Sequence, residues 1–268
     1  MLRFIPAPEP LAPWVLGVSV LRAQRDQVVT VPAHALAVFT LVYQGSAHAA
    51  AHVLASTGVL TGAGSSTQAT TLLARAGTVC ASVLCRASIL PLLTGESAGA
   101  FADAPVPPEL LSLDAARFQD ELGPGASDEE LARALLAPVQ QQLLAARAPR
   151  TSSTRFALAL AGWRPTEQVR PPTDWSPRQW QRACIAELGV TPKFLQRLHR
   201  LHASVRHQLA QNAESLSQQA LHAGFFDQAH MAREYRLLVG IRPQQTQKPD
   251  VSRAAVLGSS QLAPRFFG

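Results

Sequence analysis

Residues 215–243, SLSQQALHAGFFDQAHMAREYRLLVGIRP, leave the chain few ways to fold. A short amphipathic segment carrying Leu216, Ala220 and Leu221 runs into Gly224, and a new helix is expected from Asp227. Gly224 can take the positive φ that a helix C-terminus asks for. Asp227 can accept from the free amides of the next helix start. In the second segment Met231, Tyr235 and Leu238 recur at i, i+4 and i+7, which predicts a buried stripe. Gln228, His230, Arg233 and Arg236 fall outside that stripe. Two helices, a tight turn and a basic, amide-rich outer face are what a helix-turn-helix needs to enter the major groove of duplex DNA.

The same stretch resembles the C-terminal signature of AraC/XylS-type transcription regulators. That signature runs small residue, three residues, Gly-Phe, then Asp-Gln, an apolar anchor, Arg, and a closing Gly-x-x-Pro. Its places are held here by Ala220, Gly224, Phe225, Asp227, Gln228, Met231, Arg233, Tyr235, Gly240 and Pro243. The resemblance implies two helix-turn-helix units that read double-stranded DNA, fused to a β-rich domain. RFIPAPEPLAPWVLGVSVLR at the start, and VLCRASILPLLTG further on, are similar to that β-rich domain. Its expected partners are an unknown small-molecule effector, a second copy of the chain in a homodimer, or both.

Charge divides the chain in the same way. Residues 1–150 hold 9 Arg, no Lys and 11 acidic residues, a net of −2. Residues 151–268 hold 15 basic and 7 acidic residues, a net of +8, which together give the chain's +6. A basic half beside a near-neutral one reads as a DNA module joined to something that need not meet phosphate. MLRFIPAPEP breaks with Pro and Glu before an apolar leader core forms, and the longest apolar run, Ala35 to Tyr43, is too short to span a bilayer. No membrane partner is expected. Three cysteines (Cys80, Cys85, Cys184) make no even framework, so the expected compartment is the reducing cytoplasm.

The expected fold class is α+β: a mainly-β N-terminal sensing and dimerisation domain over 1–150, an all-α double helix-turn-helix DNA-binding domain over 151–245, and a tail over 246–268. Alternation predicts strands at Val15–Arg22, Gln27–Val31, Leu36–Tyr43, His52–Leu54, Thr70–Ala74 and Val79–Arg86, closed as a small barrel or sandwich. TGAGSS at Thr61–Ser66 reads as a hairpin turn, SAHAAAHV as a loop entering a strand, and 103–126 as irregular and Pro-rich. Ser127 with Glu130 makes a capping box for a helix over Glu129–Arg147, kinked or split at Pro138. The linker is expected at Ala148–Ser153.

Ser176-Pro177 starts a helix matching the family's first recognition helix, with Arg178, Gln179, Gln181 and Arg182 outward and Trp180 inward. Two departures stand out. Pro165, Pro171 and Pro172 interrupt the segment where the supporting helix belongs, so support from Arg155–Trp163 is the alternative. Cys184 replaces an aromatic residue. This motivates a runner-up reading, a protein-interaction module that kept the fold and lost autonomous DNA binding. Thr191-Pro192 opens a spacer helix of about 30 Å, near the ~34 Å between successive major-groove faces of duplex DNA.

Arg can pair with guanine, Gln with adenine, and His can donate to base or phosphate, so Gln228, His230 and Arg233 are the expected readers. Lys193, Arg197, Arg200, Arg206 and Arg236 are phosphate contacts or solvated surface. His34, His48 and His52 have no acidic or Cys partner near in sequence, so no metal site is expected. Cys80 and Cys85 fall on opposite faces of one strand and read as buried thiols rather than a redox pair. No phosphate-binding loop, nucleophile elbow or paired carboxylate beside a His is present in the sequence, so neither enzymatic chemistry nor a cofactor is expected.

Overall fold

The computed structural model describes residues 2–49, 52–107, 115–123, 125–146, 171, 174–209 and 215–246. The first part of the chain is a β-structure of two antiparallel sheets, and the last part is helical. Strands β1 (Leu2–Pro6), β2 (Val15–Arg22), β9 (Val79–Arg86), β4 (Leu36–Gln44), β7 (Val59–Ala63) and β10 (Pro105–Val106) make a six-stranded sheet in that spatial order. Strands β3 (Gln27–Val31), β8 (Thr70–Ala74), β5 (Ser46–Ala49) and β6 (His52–Ser56) make a four-stranded one.

Period-2 patterning decides which face of the larger sheet is apolar. In β9, Val79, Ala81, Val83 and Cys85 join the main core, whereas Cys80 on the other face packs with Val42 and Ala55. That parity separates the two thiols as expected. Facing the main core are helix α1 (Ile89–Thr94), helix α2 (Ala115–Glu121) and helix α3 (Asp128–Ala145). Leu131, Leu135 and Val139 of α3 share one core with Val18 and Val20 of β2 and with Phe39 and Leu41 of β4. Ser127 and Glu130 form the capping box at the start of α3. Arg22 of β2 fastens that start to the sheet, its Nε to Asp128 at 2.8 Å and its guanidinium to the Ala126 carbonyl at 2.6 Å.

Four expected strands have the observed bounds, and several other expectations are corrected. SAHAAAHV is not a loop: its first residues are β5, paired with β6 and β8. Thr61–Ala63 completes β7 rather than turning, because β4 on one side and β10 on the other both pair with it. The Pro-rich stretch contains β10 and α2. Helix α3 runs unsplit through Pro138, whose ring is itself buried; packing of the surrounding apolar stripe outweighs one missing amide donor. The expected linker at Ala148–Ser153 and the alternative support at Arg155–Trp163 lie outside the described residues.

The C-terminal helices are α4 (Pro177–Leu188), α5 (Pro192–Leu209), α6 (Leu216–His222), α7 (Gln228–Leu238) and α8 (Pro243–Thr246). They share a second core of Trp180, Cys184, Leu195, Leu198, Leu201, Val205, Phe225, Met231, Tyr235 and Leu238. Cys184 is fully buried there, so a thiol fills the place expected for an aromatic ring. Burial also pushes all three thiols up, Cys80 to about 11 and Cys184 to about 12. They are inert packing groups at neutral pH. No described helix is long and apolar enough to cross a membrane.

Candidate nucleic-acid interface

Helix α6 opens on a Ser215–Gln218 capping box. It closes where Gly224, at φ +80°, turns the chain and Phe225 N–H returns to the Ala220 carbonyl at 2.8 Å. Asp227 then accepts from the His230 amide at 2.6 Å and starts α7. Both local signals act as the sequence reads them.

Three fully buried residues of α7, Met231, Tyr235 and Leu238, fix its rotation about its axis. Ser204 of α5 fixes its position: its hydroxyl is 2.9 Å from the Tyr235 hydroxyl and 3.4 Å from the Met231 sulfur. Desolvation holds the Tyr235 phenol well above its ordinary range, so it stays neutral. Opposite the buried stripe, Ala229, Arg233 and Arg236 face solvent. Arg233 and Arg236 make no ion pair among the described residues. Two unneutralised guanidinium groups on one locked face are the strongest anion-facing feature of this unit.

The other expected readers differ in how free they are. The Gln228 side chain is exposed, with Oε1 accepting from Ser217 Oγ at 3.1 Å, so it also ties α7 to α6. His230 is half-buried; its Nδ1 accepts from the Phe226 amide at 3.3 Å and its ring meets Phe225 edge-on. In the neutral ring that leaves Nε2 to carry the proton and to donate. Arg197 pairs with Glu234 at 2.7 Å and stands over Phe194, so its charge is used between α5 and α7 rather than held out toward phosphate. Lys193 is exposed, and Arg200 lies over the Phe225 ring.

In the first unit, Arg178, Gln179, Gln181 and Arg182 are all exposed on α4 while Trp180, Cys184 and Leu188 are buried. Gln179 closes a capping box, its carbonyl accepting from the Ser176 amide and hydroxyl at 2.8 Å each. What backs this helix was not legible in the sequence. Ser65, buried in the loop after β7, donates its hydroxyl to the Leu188 carbonyl at 2.6 Å. The 3-10 turn at Ala98–Phe101 packs against α4 so closely that a Cβ on Gly99 would stand 2.8 Å from Ile185. Helix α7 ends in the same manner, with Leu238 and Leu237 carbonyls accepting from Ala33 N–H (2.7 Å) and Ala69 N–H (2.9 Å). Among the described residues no cluster of three or more His, Cys, Asp or Glu could hold a metal ion.

A family model described as a helix-turn-helix domain matches residues 173–249, the span that holds α4 to α8. Among solved structures the chain is similar to ToxT from Vibrio cholerae, at 12% identity and a TM-score of 0.38, over 86% of this chain and 97% of that one. It is also similar to the AraC-like transcriptional activator CuxR, at 10% identity and a TM-score of 0.28, over 88% and 79% of the two chains. No curated protein matches the sequence.

Proposed function

We propose that the chain is a sequence-specific DNA-binding transcription regulator of the AraC type, a reading supported by the helix-turn-helix family model that matches residues 173–249. In this reading α4 and α7 each enter a major groove. The observation that carries it is the outer face of α7, where Arg233 and Arg236 stand unpaired opposite a buried stripe. In this reading Gln228, Arg233 and Nε2 of His230 meet base edges. Arg236, Lys193 and Arg178, all exposed, are assigned to phosphate. Helix α5, 18 residues or about 27 Å long, sets the spacing between the two units.

The N-terminal half takes the signal-sensing or dimerising part of this reading. An apolar hollow of about 240 Å³ bounded by Leu41, Tyr43, Gln44, Phe118 and Leu122 offers a small-molecule effector a place. The N-terminal half touches the ends of α4 and α7 through Ser65, Ala33 and Ala69, and in this reading those loops carry the signal to the DNA surface. Selection of bound sequences from a random duplex library tests the proposal. A defined motif, bound with log K falling by about 0.9 per phosphate contact per decade of salt, supports it. Failure to enrich any sequence overturns it.

A further inference from the structure

The turn of the second unit carries an apolar side chain that the core does not use. Phe226 is 84% exposed, more than any other large hydrophobic residue among those described, while its neighbour Phe225 is buried. An apolar residue just before an N-cap ordinarily packs on the fourth residue of the helix, which is Met231 here. Met231 is completely buried and Phe226 is uncovered, so that staple is not made. The backbone beneath the ring is nonetheless held on both sides. Phe226 N–H donates to His230 Nδ1, Phe225 N–H to the Ala220 carbonyl, and the Asp227 carboxylate caps the His230 amide. A fixed backbone thus presents an aromatic ring beside the first turn of α7, the part of a recognition helix that reaches base edges.

We infer that Phe226 makes an apolar contact with the C5 methyl of a thymine in the half-site read by α7, an inference that rests on the DNA reading above. The thymine methyl is the one apolar group that base edges display in the major groove. Against any other edge, a phenyl ring would cover a donor or acceptor without satisfying it, which costs affinity. Against thymine, ring and methyl lose water together. Phe226 therefore sets a preference for thymine through its methyl, the one group on that edge that hydrogen-bonding readers do not use.

The test uses the full chain and a duplex chosen by library selection, with each thymine replaced singly by deoxyuridine so that only the methyl is lost. One replacement in the α7 half-site is expected to weaken wild-type binding about fourfold, the value of one methyl-sized group. Phe226→Ala should bind thymine and deoxyuridine at that position alike, and Phe226→Leu should keep part of the difference. Because the ring is exposed, both variants should melt with the parent. Wild-type indifference to every deoxyuridine, or a Phe226→Ala variant as sensitive as the parent, overturns the inference and leaves DNA binding standing. Selection that enriches no sequence overturns both.

Discussion

The Ser65 hydroxyl donates to the Leu188 carbonyl at 2.6 Å, across 123 residues of chain, inside a contact where both residues are buried. Leu188 is the last residue of α4, whose final carbonyls have no partner within the helix. A side chain from the β-structure supplies the missing donor. At the end of α7 the backbone amides of Ala33 and Ala69 supply donors to the Leu238 and Leu237 carbonyls. Asp103 stiffens the Ser65 loop: its carboxylate accepts from the Thr67 amide and hydroxyl, and its amide donates to the Ser65 carbonyl. The relative placement of α4 and α7 is therefore set from both ends, by α5 between them and by the loops of the β-structure.

Replacing Ser65 by Ala is expected to leave the Leu188 carbonyl buried without a donor. The cost should be about 1–3 kcal/mol in urea unfolding. Ser65→Thr keeps the hydroxyl and should recover part of it. An Ala variant as stable as the parent would show that water reaches that carbonyl.

Gly189 and Gly224 make a matched pair. Both sit at positive φ, +72° and +80°, after α4 and after α6 respectively. Alanine in that region costs about 1–2 kcal/mol. At Gly224 the added methyl would meet Arg200 Cδ at 3.5 Å, an ordinary contact, so strain is the whole cost. At Gly189 it would stand 2.8 Å from the Ala98 carbonyl oxygen, which is backbone and cannot step aside. Gly189→Ala should therefore melt lower than Gly224→Ala, and equal losses would mean that the Ala98 turn yields freely.

Local rules were legible where they act within one element. Alternation located β2, β3, β8 and β9, and caps at Ser127, Ser176 and Asp227 located three helix starts. The stripe of Met231, Tyr235 and Leu238 gave the orientation of α7. Partners far away in sequence were not legible. Nothing near Ser65 marks it as a cap for Leu188, and nothing near Arg197 distinguishes a phosphate contact from its pairing with Glu234. Strand β7 was hidden by Gly62, because glycine reads as a turn unless the two flanking strands are known. Phe226 was passed over because its exposure depends on which of two adjacent phenylalanines the core accepts.

His34 gives stability a pH dependence. Its backbone bridges Ser66, its Nδ1 accepts from the Leu36 amide at 3.3 Å, and burial pushes the imidazole down to about 4 despite the nearby Asp103. An unfolded histidine titrates near 6.5. Above that pH both states are neutral and the contribution is fully present. Between about 6.5 and 4 the unfolded chain takes a proton that the folded one refuses, so stability falls, by up to ~3 kcal/mol. His34→Asn offers an acceptor to Leu36 without titrating. Melting curves at pH 7 and pH 4.5 should show a smaller drop for the variant, and parallel curves would remove His34 as the cause.

If the chain binds DNA as proposed, variants of Arg233 and Arg182 report how many helices read bases. Arg233 is exposed on a helix locked by Tyr235 and Ser204, so Arg233→Ala should cost about 1–3 kcal/mol on the selected duplex and relax preference in one half-site. For α4, the upstream prolines Pro165, Pro171 and Pro172 taken alone predict a weakly supported helix on which Arg178 and Arg182 act mainly through phosphate. The loop contacts of Ser65 and the close approach of Gly99 to Ile185 hold α4 by another route, and orientation is what base readout demands. Arg182→Ala is therefore expected to relax preference in the second half-site alone. Affinities for duplexes mutated in each half-site make the comparison, with circular dichroism as the fold control. A uniform loss across all sequences, with a salt slope flatter by about one, would return Arg182 to the phosphate and leave α7 as the discriminating helix.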